Sequence, residues 1–77
     1  MDAFQFLEKH GKEVAEQVAI KAGSNYAYFS QIAYGHRRPS VDLAHKLVAA
    51  SEELVADPAA RLDPMALLQP RREVRVG

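Results

Sequence analysis

Apolar and polar positions recur at helical spacing over roughly the first fifty of the 77 residues. Asp2 is placed to cap a first helix, and Gln5, three residues on, completes the pattern of a capping box. Phe4 and Leu7 give that helix an apolar face, and Gly11, after His10, ends it. A second helix is predicted over residues 12–22. Val14 and Val18 lie four apart on it, with Ala15, Ala19 and Ala22 beside them, and Gly23 closes it. Ser24 and Asn25 are both good N-cap types for a third helix over 26–34, which stops at Gly35. Residues 36–39 read as a loop, because Pro39 drives the residue before it out of helical conformation. Ser40 then caps a fourth helix carrying Leu43, Ala44, Leu47 and Val48. Asp42 falls in its first turn, where a carboxylate suits the helix dipole.

After Ser51 the pattern loosens. Asp57-Pro58 and Asp63-Pro64 each place an N-cap residue before a proline at the first helical position. They predict two short helical turns bearing Leu62, Met65, Leu67 and Leu68. The residues after Pro70 form a basic tail whose end alternates polar and apolar, the pattern of a short strand or of disordered chain. The expected architecture is all-α: a small five-helix bundle over residues 1–69, with helices two and three forming a helix-turn-helix, and a short basic tail at 70–77.

Composition narrows the function classes. With 48% hydrophobic and 26% charged residues the chain reads as one globular domain rather than a disordered one. It has no Cys, so disulfides and thiolate metal sites are excluded. His10, His36 and His45 have no histidine partner at i+3 or i+4, and neither a metal nor another cofactor is expected. The four serines lie in no nucleophile elbow, and no glycine-rich phosphate loop is present. Glu13 and Glu16, an (i, i+3) pair on the second helix, read as solvent-facing carboxylates. An enzyme is therefore not expected. No apolar run approaches the roughly 20 residues of a membrane span, and no signal pattern opens the chain. These absences predict a cytoplasmic protein with no membrane partner.

The informative segment joins helices two and three through residues 23–25 alone. A short glycine-containing turn between two short helices is the helix-turn-helix signature. Ala19 must be small where the third helix crosses the second, and Gly23 permits the positive φ of a sharp turn. With Phe29 and Ile32 facing the core at about 100° per residue, Ala27, Gln31 and Tyr34 point outward, and Tyr28 and Ser30 lie on the flanks. From Ala22 to His36 there is no charged side chain, which is unusual for an exposed helix. Neutral hydrogen-bonding groups suit base edges: Gln pairs bidentately with adenine N6 and N7, and a small apolar side chain touches the thymine methyl. His36, Arg37 and Arg38 follow directly, placed to grip phosphates and set orientation.

Ala19, Gly23, Phe29-Ser30, Ile32, Gly35, Arg37, Pro39-Ser40 and Leu43-Ala44 stand at a spacing that resembles the Cro/repressor-type (XRE) helix-turn-helix family of phage and bacterial transcriptional regulators. The resemblance covers about residues 12–50 and extends through the loop into the next helix. It implies a compact helical domain that dimerises and binds operator DNA through its third helix in the major groove. Tyr26, Ala27 and Gln31 match the positions that usually read bases in that family. Asn25 and Tyr28 match positions near the DNA backbone, with Ser30 beside them, and Arg37 and Arg38 fall in the phosphate-contacting loop. Ala15 stands where members often carry Gln, and Tyr26 and Tyr28 are bulkier than the residues common there.

These signals predict a sequence-specific regulator, a phage or prophage Cro-like repressor acting as a homodimer on a palindromic operator. Its expected setting is the cytoplasm of a bacterial host, on the nucleoid when bound. A chain of this length leaves no room for an effector domain, so occlusion of polymerase is the expected mechanism. An antitoxin that binds a toxin through its C-terminal region, and autorepresses its operon, uses the same fold. A partner antirepressor, or an interaction module that has lost DNA binding, are further alternatives. Leu54, Leu62, Met65, Leu67 and Leu68 either close the core or form a dimer surface, and a mixture is expected.

Ten Lys+Arg balance ten Asp+Glu, yet the charges are segregated. Residues 36–46 hold three bases and one acid, and the tail from 70 repeats that ratio, whereas 47–69 hold four acids and one base. So few basic contacts predict weak non-specific binding and a shallow salt dependence.

Overall fold

A reciprocal cap starts the first helix: Gln5 N–H donates to Asp2 Oδ1 at 2.8 Å, and Asp2 N–H donates to Gln5 Oε1 at 2.9 Å. The computed structural model describes residues 1–68, and the expected tail at 70–77 lies outside the described residues. From the cap, α1 runs Ala3–Lys21, with a kink at Gly11, whose φ of 88° and ψ of 172° are not helical. Gly11 therefore bends the chain where an end was expected, but helix resumes at once with no loop between. The first two predicted helices form one kinked element, and the described residues hold four α-helices rather than five. A Cβ at Gly11 meets nothing within 4 Å, so backbone conformation and not space demands glycine there.

The other elements follow their caps. Asn25 Oδ1 accepts from Tyr28 N–H at 2.8 Å and starts α2, Tyr26–Ala33. Ser40 Oγ accepts from Leu43 N–H at 3.1 Å and starts α3, Val41–Leu54. Asp57 Oδ1 accepts from Ala59 N–H at 3.0 Å above a single 3₁₀ turn, Pro58–Ala60, and α4 follows at Pro64–Leu68. The two Asp-Pro steps thus each begin a turn of helix. No strand occurs among the described residues.

The core lies where α1 packs against α2 and α3, with α4 laid on α3. Ala15, Val18, Ala19 and Ala22 bury one face of the second half of α1, opposite Phe29, Ile32 and Ala33 of α2. At the other end of α1 the buried residues are Ala3 and Phe6, with half-buried His10 continuing their stripe at i+7, while the expected pair Phe4 and Leu7 is only partly buried. Phe6 is fully buried and meets Phe29 edge-on at 6.3 Å between ring centres. The two candidate stripes lie about 100° apart on the helix, and the arrival of Phe29 selects between them.

The C-terminal segment is tied back across this core. His10 Nε2–H donates to the Ala60 carbonyl at 2.9 Å, and Asp63 N–H donates to the Met1 carbonyl at 3.0 Å. Arg61 donates from Nε to the Val55 carbonyl at 2.8 Å and from Nη2 to that of Ala56 at 3.1 Å, closing the end of α3. Leu62 and Leu67 are buried here, so they serve the core, whereas Leu54 and Met65 are exposed and Leu68 is half-buried. No helix among the described residues is long and apolar enough to cross a membrane.

Candidate nucleic-acid interface

The link between α1 and α2 is built from local chemistry. Gly23 N–H donates to the Ile20 carbonyl at 2.9 Å and Ser24 N–H to that of Ala19 at 2.8 Å. These are the two bonds of a Schellman motif, which needs a left-handed residue at Gly23, and its φ is 85°. The same pair recurs after α2, from Gly35 to Ile32 at 3.1 Å and from His36 to Gln31 at 2.8 Å. The α2 helix is thus held between two identical stops, with a side-chain cap at its start.

Burial of Phe29, Ile32 and Ala33 turns the opposite face outward. Ala27 and Gln31 are exposed, and so is Tyr34, whose ring meets Phe4 edge-on at 5.6 Å. Ser30 is half-buried, and Asn25 is exposed but has its side-chain oxygen engaged in the helix cap. Tyr26 and Tyr28, about 100° to either side of Ala27, are half-buried and packed against the core.

Each of those rings carries a cation. The Lys12 ammonium stands 5.2 Å from the Tyr26 ring centre, and the Arg37 guanidinium 5.1 Å from that of Tyr28. Lys12 had no expected role, because it and Tyr26 are fourteen residues apart and meet only once α1 and α2 pack. Arg37 also donates from Nε to Gln31 Oε1 at 2.8 Å. The residue expected on phosphates therefore holds the residue expected to read bases. His36 and Arg38 are exposed and make no ion pair among the described residues, whereas Pro39 is buried and anchors the loop. No protein-family model, curated protein or solved structure matches this chain.

A second exposed feature lies away from α2. Ile20 and Leu54 are 60% and 41% exposed, and with Gln17 and Lys21 they line a shallow apolar depression between α1 and α3. Lys21 pairs with Glu53 at 3.0 Å on its rim. Of the five residues expected in a dimer surface, only Leu54 lines it. Ile20 was missed, although its place two positions from the buried Val18 turns it about 160° away from the core face, where an isoleucine is unexpected. Among the described residues no group of His, Asp and Glu is arranged to hold a metal ion.

Proposed function

We propose that this protein is a sequence-specific DNA-binding transcriptional regulator in which residues 12–33 act as a helix-turn-helix and α2 enters the major groove. One observation carries the reading. The outward face of α2 is neutral and hydrogen-bonding, and a cation stands on each flank, Lys12 over Tyr26 and Arg37 over Tyr28. That arrangement mirrors a major groove, whose base edges lie between two rows of phosphates. A plain solvated helix offers no reason to exclude charge from its exposed face while holding cations at both edges.

In this reading Ala27, Gln31 and the flanking Tyr26 face base edges, while Asn25, Tyr28, Ser30, His36 and Arg38 adjoin the backbone. The role is binding and not catalysis. The protein acts as a homodimer whose two α2 helices enter successive major grooves about 34 Å apart. A second copy is the occupant favoured for the Ile20–Leu54 depression, because Lys21 and Glu53 on its rim neutralise one another and leave an exposed apolar patch that a two-fold contact would cover. Repression by occlusion, as in Cro-like phage or prophage regulators, is the simplest outcome for such a dimer.

The test is a selection from duplexes with a randomised central segment, followed by titration of the winning duplex against scrambled ones. Enrichment of a two-fold-symmetric sequence supports the reading. Equal, weak binding to all duplexes, or none, refutes it.

A further inference from the structure

We infer that Gln31 and Arg37 form a single composite reader that presents only hydrogen-bond donors, and that it selects guanine rather than adenine. This rests on the DNA reading above and assigns the base class that α2 would recognise.

The sequence pattern alone favours a free glutamine, which matches adenine because its Oε1 accepts from N6–H while its Nε2–H donates to N7. The structure takes that freedom away. The stop at Gly35 turns the chain back along α2, with His36 N–H bonded to the Gln31 carbonyl at 2.8 Å. Arg37 then lies over the Tyr28 ring, and its Nε donates to Gln31 Oε1 at 2.8 Å. A guanidinium has donors and no acceptor, so the amide oxygen must face Arg37 and the Gln31 NH₂ must be the outward group. Both side chains are exposed, and neither has another side-chain bond among the described residues.

The outward array is then Gln31 Nε2–H₂ beside the Arg37 Nη groups, donors throughout. Guanine shows two adjacent acceptors in the major groove, N7 and O6, and no donor. Adenine sets its N6–H₂ donor beside N7, and that donor would meet the N–H groups of Arg37 head-on. Tyr28 holds the guanidinium over its ring, 5.1 Å from the ring centre, so the pair is organised before DNA arrives. Arg37 thus keeps its charge on the flank beside the phosphate row, and its Nε bond to Gln31 makes it a specificity residue as well.

The experiment is base-resolved binding with the duplex selected from the randomised library. The position read by the pair is the one whose preference changes in Gln31→Ala. We expect guanine there, with affinity lowered about tenfold by 7-deazaguanine or by adenine at that position. Arg37→Ala should remove the same preference, and the double variant should lose no more than either single one. Arg37→Lys keeps the charge but not the Nε donor, so it should lose the preference while retaining affinity for scrambled duplexes. Circular dichroism should be unchanged in all four, since both side chains are exposed. Adenine at that position, or a guanine preference that survives Arg37→Lys, overturns the inference while leaving the DNA reading intact. Selection of no duplex overturns both.

Discussion

Ser51, fully buried in α3, accepts a hydrogen bond from the Leu62 backbone N–H at 3.2 Å while its own hydroxyl donates to the Val48 carbonyl at 2.8 Å. One small side chain thus satisfies the chain where it turns from α3 towards α4. Ser51→Ala leaves that buried N–H without an acceptor, at a cost of about 1–3 kcal/mol. In a domain of this size each kcal/mol lowers Tm by about 4–8 °C, so calorimetry should find a drop of at least about 4 °C. A Tm within a degree of the parent would show that Leu62 N–H does not depend on Ser51.

Gly11 and Gly23 should differ in what they tolerate. A Cβ at either meets nothing within 4 Å, so any cost is conformational. Gly23 has a φ of 85° in a Schellman stop, where an alanine costs about 1–2 kcal/mol. Gly11 combines a φ of 88° with a ψ of 172°, a region open essentially to glycine alone, with a penalty of about 1–3 kcal/mol. Urea unfolding should rank Gly11→Ala below Gly23→Ala. A stabilised Gly11→Ala variant would mean that α1 straightens without loss of the Phe6–Phe29 contact.

His36 and Arg38 have no ion-pair partner among the described residues and adjoin the proposed reader, so on the DNA reading they engage phosphates. Arg38→Ala should weaken binding to selected and scrambled duplexes alike, and reduce the salt slope by about 1. The base preference should not change. Titrations at several salt concentrations separate this from the behaviour of Arg37. A change in preferred sequence with an unaltered slope would place Arg38 on a base.

Ile20 and Leu54 contribute little to the fold, being 60% and 41% exposed. Ile20→Glu and Leu54→Lys should therefore each change stability by no more than about 0.5 kcal/mol, as surface substitutions do. On the homodimer proposal both shift sedimentation towards the monomer and weaken operator binding together. A variant that stays dimeric moves the two-fold contact elsewhere, with exposed Met65 the next place to look.

Apart from the expected end at Gly11, which proved to be a kink, the element starts and stops were legible in the sequence because capping is local chemistry. Asp2 with Gln5, Asn25, Ser40 and the Asp57-Pro58 step act within three residues of themselves, and Gly23 and Gly35 close their helices through bonds spanning five. The inward face of α2 was legible too, since Phe29, Ile32 and Ala33 form one apolar stripe. The choice of Phe6 over Phe4 and Leu7 was not. Neighbouring stripes on a helix are equally good amphipathic faces until a partner such as Phe29 arrives. Nor could the pattern sort the C-terminal leucines, because Leu62 and Leu67 are buried only through the links from Ser51, His10 and Met1 that lay their segment across the core. The candidate site divides the same way. Periodicity located its neutral face, but Lys12 on Tyr26 and Arg37 on Gln31 are contacts between residues that helical spacing does not relate. The sequence by itself determined the caps, the stops at Gly23 and Gly35, and the inward side of α2. Only the packing of α1 on α2, and the return of the chain after Gly35, decided which polar groups are left free to bind.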